Sequence, residues 1–374
     1  IQGLRLLPMV AANIEMLDPD EFKHINECAD TCAFRIGTDL FDSSQNYYLS
    51  FNGIIPSHIG IFGNTGSGKS NTLARLLYEY VKVLDGKENG KLLVFDINNE
   101  YGADSICDLK SKTIYQLTTR TGEGDRIPIN YSELQEDEWC LLLNATEATQ
   151  RPVIKTAAND KRTPEEYKTL IIRMIKSGQH HLIRSLQYHM ADYVTGIEHL
   201  IWHNQCEVFY VNSKSGPIYA NQSDFNSVFE KIEVNDPKGN DPNKQLRAFL
   251  FKLYFATAIH IGYGTQYEFI SPLLRRAEKL IADFEKVFNN DSKDLFDGKN
   301  IAIIQLANVN KDMTDLIPAL LTNHLFHEQI EGKKNSVKKI INIVVDEAHN
   351  LLYEDDADNK HTKITIEAFE RAVK

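Results

Sequence analysis

Short apolar runs bounded by turn residues alternate along this chain with longer stretches whose apolar positions recur at helical spacing. His58–Phe62 lies between Pro56 and Gly63, and Lys91–Phe95 ends in the polar run Asp96-Ile97-Asn98-Asn99-Glu100-Tyr101. Both read as buried strands. Between them Leu73, Leu76, Leu77, Tyr80, Val81 and Leu84 fall at i, i+3, i+4, i+7, i+8 and i+11, the stripe of a helix with one buried face. Ile114–Leu117 predicts a third strand. A glycine-containing turn over residues 121–125 and the segment Ile127–Asn130 follow, and Ser132 opens a helix expected to reach Leu143. The alternation returns with a strand at Asn300–Leu306, a helix at Met313–Gln329 and the most apolar strand of the chain, Ile340–Val345, before Ile364–Val373 begins another helix. Strand and helix in alternation predict a parallel sheet covered by helices.

Two regions depart from this rhythm. Residues 151–262 predict a mainly helical insertion, with helices at Pro164–Ile175, His181–Leu200 and Lys244–Ile261, a hairpin within Glu207–Ala220 turning at Ser213–Pro217, and a loop at 236–243 on its Asp, Pro, Gly and Asn content. Residues 1–50 mix a possible strand at Leu6–Ile14, a helix at Asp18–Cys32 and a strand piece at Phe34–Ile36, the remnant of a small β-rich module or a linker. The expected organisation is therefore a module remnant or linker at 1–50, a core in two parts at 51–150 and 263–374, and the insertion between them. Numbering begins at Ile1 without an initiator methionine, so the amino terminus is expected to be incomplete.

The strand at His58 and the helix at Leu73 flank Gly63-Asn64-Thr65-Gly66-Ser67-Gly68-Lys69-Ser70, followed by Asn71. This fits G-x-x-x-x-G-K-[ST] in the strand–loop–helix setting that the motif requires. Glycines let consecutive backbone N–H groups point into one concavity, and the helix amino terminus adds its positive dipole end. Lys69 is placed to reach β- and γ-phosphates, and the Ser70 hydroxyl to take one position on Mg²⁺. A chance Gly/Ser turn would have to reproduce the lysine, the hydroxyl and both flanking elements together. The fold expected is α/β, a P-loop sheet of the RecA-like kind, with ATP and Mg²⁺ as cofactors.

The strand Ile340–Val345 ends in Asp346-Glu347-Ala348-His349. Acids often close buried strands, but with the glycine loop upstream this pair takes on a role. Asp346 is assigned to the metal shell and Glu347 to the base that polarises the attacking water. Asp96 and Glu100, after the Lys91 strand, stand at a carboxyl edge where ligands of open α/β sheets bind. Their spacing alone leaves two readings, carboxylates facing the phosphates or a turn-stabilising aspartate beside a surface glutamate.

Composition narrows the class. The chain has 374 residues, 42% apolar and 25% charged, enough for a sizeable core. No segment has the ~18 uninterrupted apolar residues of a membrane-spanning helix, and the first ten residues lack a cleavable-signal pattern, so a cytoplasmic protein is expected. Cys28, Cys32, Cys107, Cys140 and Cys206 form no CxxC pairs, and reduced thiols are the default. A net charge of -11 argues against a broad basic surface for nucleic acid, though a pore needs only a few donors per subunit. Arg151 to Arg184 inverts the balance, with eight Lys/Arg against three Asp/Glu; a solvated helical face is the simpler reading than a nucleic-acid contact. The acidic run Glu354–Asp358 reads as a solvated loop.

Three stretches together, Gly63 to Thr72, Phe95 to Tyr101 and Val345-Asp346-Glu347-Ala348-His349-Asn350, resemble the HerA group of HerA/FtsK-type ATPases. The resemblance covers roughly residues 34–374, and Ile36-Gly37-Thr38 resembles the junction between that family's β-barrel and its motor domain. It implies a homo-hexameric ring that moves DNA through its pore by ATP hydrolysis. It also implies a nuclease or other effector as partner, in DNA end processing or anti-phage defence. It further implies that Asp96 and Glu100 belong to the active site, with Asn99 where the family carries glycine. The family's interfacial arginine and Ser-Gln-Arg-Pro sensor are expected beyond Lys374; Arg371 precedes that arginine by position. The alternative is a nucleotide-loaded scaffold that recruits an effector and moves little DNA, which the acidic balance favours. A small-substrate P-loop kinase has no recognisable acceptor site here.

Overall fold

A computed structural model describes Asp18, Glu21, Ile366 and residues 33–38, 46–55, 57–64, 66–84, 90–120, 123–131, 134–235, 244–334, 340–351 and 369–370. The expected strand at Leu6–Ile14, the loop at 236–243, the acidic run at 354–358, Thr65, Cys28 and Cys32 lie outside these residues. So does most of the helix expected at Ile364–Val373, of which Ile366, Phe369 and Glu370 are described as helical.

In chain order the strands are β1 (Ala33–Thr38), β2 (Asn46–Ser50), β3 (Gly90–Asp96), β4 (Lys112–Thr118), β5 (Ile127–Pro128), β6 (Val194–Thr195), β7 (Ile201–His203), β8 (Val208–Ser213), β9 (Gly216–Tyr219), β10 (Glu233–Val234), β11 (Phe288–Asn289), β12 (Ile301–Asn308) and β13 (Ile340–Val345). The helices are α1 (Phe51–Ile54), α2 (Lys69–Leu84), α3 (Glu136–Leu142), α4 (Gln150–Ala158), α5 (Pro164–Lys176), α6 (His180–His189), α7 (Asn226–Glu230), α8 (Lys244–Gly262), α9 (Tyr267–Val287) and α10 (Lys311–Lys334).

The central sheet is parallel, in the order β13-β3-β12-β4. Its middle strands are apolar without alternation because both of their faces are covered. Leu92, Val94, Ile301 and Ile303 share one core with Leu77 and Tyr80 of α2. Leu93, Phe95, Ala302 and Ile304 point the other way, into a larger core that takes in Met313, Ile317 and Leu320 of α10 and continues through α8 and α9. That core passes without a break into residues 151–262. There α8 is buried on nearly every side, and Trp139 of α3 stacks on Phe249 with ring centroids 3.8 Å apart.

Most predicted elements form close to their expected places, and the departures have physical causes. His58–Phe62 is not a strand. Residues 57–64 run without ladder pairing, with Ile59 48% and Phe62 94% exposed. An apolar run becomes a strand only when a neighbour takes its N–H and C=O groups, and among the described residues none lies beside this one. The expected helix His181–Leu200 stops at His189. The chain then turns so that Val194 and Thr195 pair with β10, and at Gly196 (φ +83°) a Cβ would lie 2.3 Å from the Lys231 carbonyl oxygen. The hairpin at 207–220 forms as β8 and β9, and β7 adds a third, unforeseen strand. The basic inversion between Arg151 and Arg184 is dispersed: Arg151 pairs with Glu147 and Glu136, Arg162 with Asp160, and Lys168 donates to the Glu230 carbonyl.

Helix α9 lies in a stretch for which no element is predicted. Its stripe of Ile270, Leu273, Leu274, Ala277, Phe284 and Val287 is buried, a helical period that was legible in the sequence. Among the described residues no helix is long and apolar enough to cross a membrane.

Candidate active site

The glycine loop is shaped by its own backbone. Gly66 and Gly68 sit at φ +81° and +92°, where a side chain would be strained. At Gly63 a Cβ would fall 2.2 Å from Ser67 Oγ, so a side chain there would need the Ser67 hydroxyl to turn away. Ser67 N–H donates to the Asn64 carbonyl at 3.1 Å, and Lys69 Nζ donates to the same oxygen at 3.3 Å. Lys69 begins α2, and the first bond of the helical ladder runs from Thr72 N–H to the Gly68 carbonyl at 2.9 Å. The N–H groups of Lys69, Ser70 and Asn71 therefore precede the ladder, in the position from which helix amino termini bind anions.

The sheet sets the direction of this helix. Leu84, at the carboxyl end of α2, is six residues before β3 begins at Gly90, and Asn342 near the start of β13 donates to the Tyr80 hydroxyl. The other end of α2, with Lys69 and Ser70, is accordingly directed to the carboxyl edge of β3 and β13. That edge carries the acids. Val345 pairs with Phe95, and Asp346 N–H donates to the Phe95 carbonyl at 3.0 Å, so Asp346 and Asp96 end adjacent strands.

The two aspartates differ in how far the fold has already satisfied them. Asp96 is fully buried, and its oxygens are already engaged: Oδ1 accepts Glu100 N–H at 2.9 Å, and Oδ2 accepts Tyr101 N–H at 2.9 Å and the Gln305 side-chain amide at 3.4 Å. The carboxylate shapes the loop that carries Glu100, and Glu100 itself is exposed. Asn99 takes φ +60° and accepts Ala307 N–H at 3.2 Å through its side chain. Asparagine tolerates this left-handed region, which is why it serves where the resemblance implied glycine. Asp96→Ala would leave two N–H groups and an amide without their acceptor, a loss on the order of 3 kcal/mol. Urea unfolding should show the reduced midpoint, with Asp96→Asn intermediate.

Asp346 is only 6% exposed. Its Oδ1 accepts Glu347 N–H at 3.0 Å, while Oδ2 is buried and has no partner. Burial, and then the charges of Glu100, Glu347 and Asp96, raise its carboxyl above the usual range. Glu347 adopts the left-handed region at φ 49°, ψ 44°, a costly conformation for a non-glycine residue, and its Oε2 lies 3.1 Å from His349 Nδ1.

These residues fit a hydrated cation. Asp346 Oδ2 is an unused buried anionic oxygen among further carboxylates. Among the described residues no group of three or more His, Cys, Asp or Glu side chains is placed to hold a metal alone, and Mg²⁺ characteristically takes one or two carboxylates together with waters and phosphates. A recess of about 490 Å³, lined by Tyr78, Lys82, Cys107 and Lys299, lies at the opposite edge of the sheet, by the start of β12. It contains neither the glycine loop nor the acid pair.

Residues 34–255 match the family described as the central domain of the helicase HerA, more than half of the 374-residue chain. The chain belongs to the HerA family. A curated relative, called Probable helicase MJ1565, from Methanocaldococcus jannaschii, is 32% identical over 122 residues, which make up 32% of this chain and 21% of that protein. This HerA-family chain thus spans a minority of that relative's length.

The structure brings Asp96, Glu100, Asp346 and Glu347 to one edge of the sheet, and directs Lys69, Ser70 and Asn71 to that same edge. Three further residues of this candidate site carry no role in the sequence alone. Gln305, the one polar residue within the run from Ile301 to Leu306, ties Asp96 to the Tyr101 carbonyl (3.3 Å). His349 contacts Glu347, and Tyr101 is buried in the core near these acids. Gln305 had a sequence signal, since a buried strand seldom spends an interior position on an amide; the other two stood inside quoted motifs without a role.

Proposed function

We propose that this HerA-family chain is the ATP-hydrolysing subunit of a DNA-translocating motor. The observation that supports it most is that α2 runs with its glycine-loop end toward the sheet edge where Asp346 is buried with an unused oxygen. The backbone N–H groups of residues 66–71 and Lys69 bind and orient the triphosphate. Asp346 and Ser70 would hold Mg²⁺, which would supply positive charge against the triphosphate. Glu347 accepts the proton of the attacking water, with its carboxylate steadied by His349. Asp96 acts through the loop, fixing where Glu100 stands.

In this reading hydrolysis takes place between subunits of a homo-hexameric ring, and an arginine of a neighbouring subunit stabilises the transferring phosphoryl group. DNA passes through the pore, and the motor serves a nuclease or other effector in end processing or anti-phage defence. The competing scaffold reading draws support from the net charge of -11. A salt titration of DNA binding decides between them. A translocase that neutralises six or more phosphates loses about a thousandfold in affinity between 50 and 200 mM salt and hydrolyses ATP faster with DNA. Weak binding that ignores salt, with turnover indifferent to DNA, would leave the scaffold.

A further inference from the structure

Two buried polar atoms near the acids of this sheet edge lack a protein partner, and they come from different elements. The Tyr101 hydroxyl terminates a side chain that is 3% exposed, and no protein donor or acceptor lies within hydrogen-bonding distance of it. Asp346 Oδ2 stands in the same condition. Buried groups of this kind are rare in folded proteins and costly to leave unmet. Tyr101 cannot turn its hydroxyl out to water. Its N–H is held by Asp96, its carbonyl by Gln305, and its ring packs in the core with Leu77, Leu92 and Val94. Burial first, and then the charges of Asp346, Glu100, Asp96 and Glu347, push the phenol well above its ordinary range, so it remains a protonated donor.

The chemistry of the missing partner follows from the two atoms. It must offer an acceptor oxygen to the phenol and a cationic or hydrogen-donating group to the carboxylate, among neighbouring negative charges. A bare anion would be repelled there, whereas a hydrated divalent cation bound to phosphate supplies both groups. We propose that Tyr101 is a binding residue of this site, its hydroxyl donating to an oxygen of the cation–triphosphate assembly that also engages Asp346 Oδ2. The inference rests on the nucleotide reading of the site and adds to it a neutral donor among the carboxylates.

Tyr101→Phe removes only the hydroxyl. The full chain and this variant are compared by thermal unfolding, with and without Mg²⁺ and adenylyl-imidodiphosphate, and by Mn²⁺ titration followed by electron paramagnetic resonance in the presence of the same analogue. Without ligand, the variant should unfold at the same temperature or higher, because an unmet buried hydroxyl is gone. With ligand, its stabilisation should be smaller and Mn²⁺ should bind roughly three- to tenfold more weakly, the range expected for one hydrogen bond. A purely structural hydroxyl would do the reverse, lowering the ligand-free midpoint and leaving ligand affinity alone, and that result overturns the inference. Equal ligand affinity in the two proteins also overturns it while sparing the nucleotide reading. A wild-type chain that does not bind the analogue overturns both.

Discussion

Lys69→Ala is expected to lower Mg²⁺-dependent ATP turnover at least about a hundredfold, on the scale of removing one preorganised charged donor from a developing anion. The fold should survive. Lys69 makes its hydrogen bond at 3.3 Å to the Asn64 carbonyl of its own loop, and it is half-buried at the start of a helix whose packing face begins at Leu73. Its loss should move the thermal midpoint of the ligand-free chain by no more than about 2 °C. The loop geometry belongs to Gly63, Gly66 and Gly68 and does not need the ammonium. Steady-state hydrolysis, read beside analogue binding by fluorescence anisotropy, checks this: both should fall. Turnover at the wild-type rate would remove Lys69 from the phosphate site.

Glu347→Gln should separate binding from chemistry. The amide keeps the size of the side chain and a polar contact with His349, and glutamine meets the same left-handed backbone cost at φ 49° that glutamate already bears. It cannot take a proton from water at neutral pH. Hydrolysis should therefore fall about 10²- to 10⁴-fold, the range of a lost general base, while nucleotide affinity holds or rises because Asp346 loses a repelling neighbour. Single-turnover assays with tightly bound ATP measure the first effect and equilibrium binding the second. DNA-stimulated turnover that survives Glu347→Gln would sink the assignment of the base. Opposite binding outcomes for Lys69→Ala and Glu347→Gln would place the two residues on different steps of one reaction.

His349 gives Glu347 a contact that could be mistaken for a strong ion pair. At 70% exposure of the histidine, solvent screens the interaction, so its value lies in the orientation of the carboxylate more than in stability. The same distinction separates Asp96 from Asp346. Both end apolar parallel strands and both are almost wholly buried, yet one has all of its oxygens on the protein and the other has one oxygen with no protein partner.

Much of this was legible in the chain. The glycine loop, the helix that follows it, the strands that became β3, β4, β12 and β13, and the acids at their ends could be placed from apolar spacing and turn residues, because local backbone preference and burial pattern agree there. Asn99 could be tolerated at a left-handed position for the same local reason. Where an element depends on a partner distant in sequence, the pattern misled. His58–Phe62 has the composition of a strand and no neighbour to pair with among the described residues. His181–Leu200 has the spacing of a long helix, but Val194 and Thr195 pair with Glu233 and Val234, and a window of local sequence contains no trace of that strand.

The order of residues fixes which groups are available to this HerA-family protein: a glycine loop of the phosphate-binding pattern, two acids at one strand end and two after another. Their chemistry is carried by residue type and short spacing. How far each acid is already engaged came from the folded arrangement, because that depends on which oxygens its neighbours have satisfied. Asp96 is consumed by N–H groups four and five residues ahead and by an amide from β12, and so became a support for its loop. Asp346 Oδ2 and the Tyr101 hydroxyl were left unmet at the end of one sheet, where burial makes an empty hydrogen-bonding position costly and a ligand favourable.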